Sequence, residues 1–351
     1  MASLKHPASP GKLGALLRSS GYSLQANAKT KEGAEHPDRN AQFEHINTTA
    51  NDFLARGLPV ISVDAKKKEF LGERAAPGRE WQKKGQPVEV MTHDFFARDT
   101  PAAIPFGIYD VGKNLGYVNV GMDHNTPTFA VGSIKKWWDK LGSQLYPNAT
   151  ELFITADAGG SNAFRSNVFK SCLQDLADQT RLSIHVAHFP PGTSKWNKVE
   201  HRLFSFISLN WRGRPLVSYE LIVSLIEATT TRKGLKVRAE LDESKYPVGV
   251  VVSKHRVANM RLERATFHGE WNYVLRPRTE AQQAADQQPP TSSRGAHSAR
   301  NAYWKGVIRQ QLQSGLSAHH FCEQQGLIYS TFYKARHRLL GKIGQSRPTK
   351  K

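Results

Sequence analysis

Cysteine is scarce in this chain: Cys172 and Cys322 are the two present, and they lie far apart. They fit neither a disulfide framework nor a cysteine-based zinc spacing, which excludes a stapled secreted scaffold and predicts a reducing compartment. Acids are also in deficit, with 30 Asp and Glu against 49 Lys and Arg and a net charge of +19. Such an excess calls for a polyanionic partner, nucleic acid before a ribosomal or membrane surface. Long apolar runs are missing as well. None approaches the roughly 20 residues of a membrane span, and the first residues lack the apolar stretch of a signal peptide. The expectation is a cytoplasmic protein facing DNA or RNA, with no membrane partner. At 351 residues there is room for two domains, one with a sizeable core.

Within these bounds the chain alternates strand and helix signals. Residues 40–56 place Phe43, Ile46, Phe53 and Leu54 on one helical face, and Gly57 stops the helix. Leu58-Pro-Val-Ile-Ser-Val-Asp64 reads as a buried strand ending in an acid. Residues 71–103 are rich in Gly, Pro and charge. Strands are predicted over 106–111, 116–121 and 128–131, joined as an antiparallel meander, followed by a helix over 133–145 with a Trp137/Trp138 stripe. Glu151-Leu-Phe-Ile-Thr-Ala-Asp157 is a second strand ending in an acid, and Gly159-Gly160 after it lets a ligand or backbone come close. A helix over 162–180, a strand over 182–189, a helix over 219–231 and a strand over 267–275 complete this unit. His185 and His188 on the third strand point to opposite faces and read as structural.

The pivotal stretch is Phe189-Pro-Pro-Gly-Thr-Ser-Lys-Trp-Asn-Lys-Val-Glu-His-Arg-Leu-Phe204. Pro190 and Pro191 end the strand, Thr193 and Ser194 are helix N-cap candidates, and Glu200 sits in the first turn of the helix. Taken alone, this reads first as a capped, solvated helix end with an ordinary surface glutamate. The context changes the weighing. Asp64 and Asp157 end apolar strands, where an unpaired carboxylate is costly, and Glu200 opens a helix after a third strand. Carboxylates converging at one end of a sheet repel one another and favour divalent cations. Two Mg²⁺ or Mn²⁺ ions with oxygen ligands suit in-line attack on a phosphodiester. Lys66, Lys67, Lys195, Asn197, Lys198, Arg202 and Arg212 flank the acids as candidate DNA contacts, and Trp196 either stacks on a base or sugar or packs internally.

The motifs Val63-Asp-Ala-Lys-Lys-Lys-Glu69, Ile154-Thr-Ala-Asp-Ala-Gly-Gly-Ser-Asn162 and the 189–204 stretch resemble those of DDE transposases of bacterial insertion sequences, within them the Rhodopirellula-type family. Asn210-Trp-Arg-Gly213 and His268-Gly-Glu-Trp-Asn-Tyr273 agree with the same family, and the resemblance covers about residues 13–276. It implies an α/β ribonuclease-H-like core with a mixed five-stranded sheet flanked by helices. It implies that Asp64, Asp157 and Glu200 hold two metal ions, and that the activity is cutting and joining the ends of a mobile element in double-stranded DNA, in the bacterial nucleoid. Homo-oligomers on DNA are expected by analogy.

Two features depart from that pattern. Residues 1–56 resemble only the remnant of an N-terminal DNA-binding helical region, with the core expected over 57–276. Beyond a Gln- and Pro-rich linker at 277–300, residues 301–342 read as a small all-α helix-turn-helix. Ser317-Ala-His-His-Phe-Cys-Glu-Gln-Gln-Gly-Leu327 and Tyr329-Ser-Thr-Phe-Tyr333 resemble accessory proteins of another insertion-sequence group. Its last helix carries Lys334, Arg336 and Arg338 for a DNA groove, and residues 294–351 hold eleven Lys/Arg against the single acid Glu323. An active enzyme and a DNA-binding relic or repressor without productive chemistry are thus both compatible with the sequence. So is a structure-selective nuclease on the same fold.

Overall fold

The computed structural model describes residues 9–25, 36–92, 100–287, 295–325, 327 and 329–340. Two helices come first, α1 (Pro10–Ser19) and α2 (Arg39–Ala55). α1 buries none of its residues. α2 ends where Gly57 takes φ 70°, as expected of a left-handed stop. The chain then enters β1 (Val60–Ala65), β2 (Glu69–Phe70), β3 (Ala102–Asp110) and β4 (Leu115–Gly121).

The strand predicted at 128–131 is instead the start of α3 (Pro127–Trp137), which runs on through a π turn (Trp138–Gly142) and the short α4 (Ser143–Leu145). The reason is local. Thr126 caps the helix by accepting from Phe129 N, and Pro127 occupies the first turn, where its missing N–H costs nothing. β5 (Glu151–Ala156), α5 (Asn167–Thr180) and β6 (Ser183–His188) follow. Then come a 3₁₀ turn (Ser194–Trp196), a π turn (Glu200–Phe204) leading into α6 (Ser205–Asn210), α7 (Tyr219–Glu227), β7 (Lys236–Asp242), α8 (Lys254–Ala258), β8 (Leu262–Arg264) and β9 (Asn272–Leu275).

One mixed sheet runs β7-β4-β3-β1-β5-β6-β9-β8, with β2 paired to β3. β1, β5 and β6 are mutually parallel, and β3 and β4 continue the sheet antiparallel. The expected five-stranded sheet is therefore the middle of a nine-stranded one. The strand predicted over 267–275 is β9, shortened to its last four residues; β2, β7 and β8 are not predicted. In β7 the charged Lys236, Arg238, Glu240 and Asp242 alternate with Val237, Ala239 and Leu241, so no apolar run forms. β8 and β9 are three and four residues long.

Side-chain alternation divides the core. Ile61, Val63, Leu152, Ile154, Ile184 and Val186 face α3 and α5, with Trp137, Phe129 and Leu173 among the buried partners. On the opposite face Val60, Phe153 and Ala187 meet Ile46, Ala50 and Phe53 of α2, and Val118 and Val120 meet Leu203, Phe204, Ile207 and Ile226. α2 is also tied by buried hydrogen bonds: Gln42 Nε2 donates to His188 O at 2.9 Å and to Asn272 Oδ1 at 2.8 Å.

The stretch expected as a linker is partly helical, with α9 (Glu280–Gln287) and the beginning of α10 (Gly295–Ser314) inside it. α9 is anchored by an ion-pair network: the buried Arg278 bonds Asp178 at 2.7 Å and Asp286 at 2.9 Å. α10, α11 (Ala318–Gln324) and α12 (Tyr329–Leu340) pack around Trp304, Ile308, Cys322 and Phe332. The Gly326 turn expected between the last two helices lies outside the described residues.

Candidate active site

Strand register brings the first two acids together. β1 and β5 run parallel with Val63 beside Ala156, so Asp64, in β1, stands beside Asp157, the first residue past β5. Val63 and Ala156 point into the α3/α5 side. Period-2 alternation turns Asp64 to the other face, and Asp157 Oδ1 meets Asn197 Nδ2 at 3.0 Å.

That face carries the third acid. After β6 the chain turns through Gly192, at φ 80°, and Thr193 Oγ1 donates back to Pro190 O at 2.5 Å. Thr193 thus braces the loop rather than capping the helix. The N-cap position belongs to Asn197, whose carbonyl accepts from Glu200 N at 3.1 Å. Two glycines admit the helix to the sheet. A Cβ on Gly107, which pairs with Asp64, would overlap the Phe204 ring, and one on Gly116 would lie 2.5 Å from Leu203 Cδ1.

Asn197 and Ser62 join the pieces. Both are fully buried. Ser62 Oγ accepts from Val199 N at 2.9 Å and donates to Asn197 Oδ1. Asn197 Nδ2 reaches Val63 O at 3.1 Å and Asp157 Oδ1 at 3.0 Å. Asn197, expected as a DNA contact, is instead buried, with its side-chain amide engaged by Ser62, Val63 and Asp157. Ser62 is not singled out by the sequence, although a serine inside Val60-Ile-Ser-Val63 is the signal that could have found it. From the other side of the sheet, His188 Nδ1 lies 3.0 Å from Asp157 O and Nε2 lies 3.0 Å from Tyr273 Oη. Burial holds this imidazole neutral, its pKa down to about 4.

Electrostatics marks the acids. Burial, then the charge of Asp157, raises Asp64 to about 8, opposed by its hydrogen bond from Ala65 N. Burial raises Asp157 to about 6, with Glu200 adding to the rise and Asn197 opposing it. Burial also raises Glu200, while Lys66 and His201 lower it. Three carboxylates that resist ionising side by side form a hard-oxygen set suited to divalent cations. Asn162 adds to the fit: its Nδ2 reaches Asp64 Oδ1 at 3.4 Å, and its buried Oδ1 finds no hydrogen-bond partner among the described residues.

Basic residues gather beside the acids. A groove of about 750 Å³ is lined by Lys66, Lys67, Lys68, Arg74, Arg212 and Arg214, together with Ser205 and Ser208 of the Glu200 helix. Sequence reasoning misses Arg74 because the charge-rich 71–103 segment has no periodicity to orient it, and Lys68 and Arg214 because only the fold brings residues so far apart to one groove. Lys66 is largely buried, bonds Glu69 at 2.5 Å and lies 4.5 Å from the Trp211 ring centre. Lys195 and Arg202 are exposed, and Lys195 sits over the half-exposed Trp196 ring, which also meets Phe43 edge-on. Lys198 is half-buried, and burial lowers its pKa. A second depression, about 460 Å³, is lined by Asp157, Gly159, Arg165 and Pro190. Gly159 and Gly160 have open space where a Cβ would stand. Lys334, Arg336 and Arg338 lie on α12, which packs on α10 and α11.

The pattern of the Rhodopirellula transposase DDE domain matches residues 1–277. The chain belongs to this family. The matched segment of this DDE transposase relative reaches from α1 through β9 and takes in all three acids. Among curated proteins none matches. Three solved structures of Mos1 transposase are similar at low identity. The Mos1 paired-end complex with the left transposon end is 11% identical over 60% of this chain and 59% of that one, with a TM-score of 0.39. The mariner paired-end complex with Mn is 13% identical over 61% of each chain, at 0.38. The strand transfer complex is 14% identical over 59% of this chain and 58% of that one, at 0.36. The chain thus spans about three fifths of the length of these structures. Among the described residues, no helix is long and apolar enough to cross a membrane.

Proposed function

We propose that this chain is a metal-dependent DNA transposase with a ribonuclease-H-like core, in which Asp64, Asp157 and Glu200 make strand cuts and strand transfers at the ends of an insertion sequence. The observation that carries the reading is the meeting of three carboxylates on one sheet face, with Asp64 pushed to about 8 and Asp157 to about 6. Such a cluster is costly in a structural role and useful in binding cations.

The acids would hold Mg²⁺ or Mn²⁺, two ions in the fullest reading. When bound, these supply the positive charge and Lewis acidity that phosphodiester attack requires. The chain's own residues do the rest. Asn197 and Ser62 fix the acids relative to one another. Lys66, Lys67 and Arg212 line the groove where a DNA backbone would lie. In the cut, a water oxygen bonds to phosphorus and the strand's 3′ oxygen leaves with a proton. In the transfer, that 3′ hydroxyl attacks a target phosphodiester and displaces the target's 3′ oxygen. No covalent protein intermediate is needed. The α10–α12 unit, with Lys334, Arg336 and Arg338, would contribute duplex binding, and double-stranded DNA in a bacterial cytoplasm would be the partner of a homo-oligomer.

The test is a cleavage assay with Mg²⁺ or Mn²⁺ on a duplex carrying the terminal repeats that flank the gene. Nicking at the repeat ends that disappears in Asp64→Ala supports the enzyme. Binding without nicking by the wild-type chain overturns it in favour of a DNA-binding relic.

A further inference from the structure

A different cluster lies where α2 meets the turn before β9. A ring nitrogen of His36, a carboxylate oxygen of Asp38 and a ring nitrogen of His268 all lie within 4.8 Å of one another. His268 Nε2 is 2.9 Å from Asp38 Oδ2, and His36 Nδ1 is 3.9 Å from the same oxygen. The other nitrogen of His268, Nδ1, is 2.9 Å from Glu270 Oε1. A carboxylate behind a histidine in this way sets its tautomer and raises its basicity, the usual support of a metal-ligating imidazole.

The cluster is built rather than incidental. His268 adopts φ 43°, a left-handed conformation that costs a non-glycine residue about 1–3 kcal/mol unless its surroundings enforce it. Its ring stacks on Trp271 at 4.3 Å and 20°, and Trp271 is buried. His36 meets the same indole edge-on at 4.8 Å. Two imidazoles and a carboxylate from segments some 230 residues apart thus converge on one aromatic floor. A neutral imidazole donates from one nitrogen and presents a lone pair on the other. With the Nδ1 proton of His268 on Glu270, its Nε2 lone pair faces the Asp38 carboxylate. These are two acceptors that a cation between them would satisfy, with His36, whose Nδ1 accepts from Asp38 N at 3.2 Å, alongside.

We propose that His36, Asp38 and His268 bind a zinc-class divalent ion, with Glu270 orienting His268. Two nitrogens and one oxygen are the donors such an ion takes, unlike the all-oxygen set at Asp64, Asp157 and Glu200. The ion would pin the residues before α2 to the turn before β9. One turn into the helix, Gln42 bonds His188 O, and the His188 ring contacts Asp157 O. The site is thus a structural clasp behind the second aspartate.

The test uses the tag-free full chain carrying Asp64→Asn, Asp157→Asn and Glu200→Gln, so that the acid site no longer competes. After equilibration with Zn²⁺ and desalting, bound zinc is counted by mass spectrometry, and Co²⁺ is substituted for its ligand-field absorption. About one ion per chain is expected, with Co²⁺ bands of a low-coordinate nitrogen–oxygen site. His36→Ala and His268→Ala should each remove it, and Glu270→Gln should weaken it by about 10–100-fold. Should His268→Ala misfold by circular dichroism, His36→Ala, at a partly exposed turn, carries the test. Absence of stoichiometric zinc in the triple variant, or retention of zinc by a folded His36→Ala chain, overturns the proposal.

Discussion

Asn197 Nδ2 stands 3.0 Å from Asp157 Oδ1 while the carbonyl of the same residue accepts from Glu200 N at 3.1 Å. One buried residue therefore ties Asp157 through its side chain and the start of the Glu200 helix through its backbone.

Replacing it should separate positioning from DNA contact. Asn197→Ala is expected to lower Mn²⁺-dependent cleavage by about 10–100-fold, as losing a residue that orients a metal ligand does. Affinity for duplex should stay near wild type. Gel-shift and cleavage series on the same preparation decide it, and a loss of affinity equal to the loss of rate would return Asn197 to the DNA interface.

The raised acids make the cation-free protein sensitive to pH. Asp64 titrates near 8 when folded and near 4 when unfolded, so the fold favours its protonated form. The stability this lends is complete below about pH 4 and is lost as pH rises through about 8. Melting temperature in chelator should fall between about pH 5 and about pH 8.5. Mn²⁺ should restore it at the upper end, and Asp64→Asn should flatten the profile. A pH-independent melt in chelator would contradict the burial of these acids.

Groove residues should act through salt. Lys67→Ala with Arg212→Ala is expected to reduce the slope of log affinity against log salt by about 0.9 for each DNA phosphate that the variant no longer neutralises. Fluorescence anisotropy across a salt series measures this. An unchanged slope would place the DNA elsewhere.

Seating of the Glu200 helix should be sensitive at Gly107. Phe204→Ala is expected to cost about 3–5 kcal/mol through its cavity. Gly107→Val would force the buried ring aside, at about 1–3 kcal/mol or more. Denaturant unfolding gives both values, and a neutral Gly107→Val would mean that the helix is not held against the strand.

The central strands are legible because each is an apolar run bounded by turn residues; β1 and β5 run into Asp64 and Asp157, whereas Glu200 opens the helix that follows β6. The start of α3 reads wrongly as a strand over 128–131 because Thr128-Phe-Ala-Val131 is as apolar as one, while the Thr126-Pro127 cap that decides the matter lies just before it. β7 carries the alternation of a half-buried strand, Val237, Ala239 and Leu241 between charged residues, a signal that a search for apolar runs passes over. Asn197 reads as a surface residue because it is polar and stands among lysines. Its burial depends on Ser62, 135 residues earlier, a pairing that no local pattern encodes.

Gly107 and Gly116 remove any cushion between the Glu200 helix and the strands beneath it. Leu203 and Phe204 lie directly on strand backbone, like a key cut to the depth of its ward. Helix and sheet therefore touch without slack, and any shift of the Glu200 helix against the strands would require Leu203 and Phe204 to leave their seats.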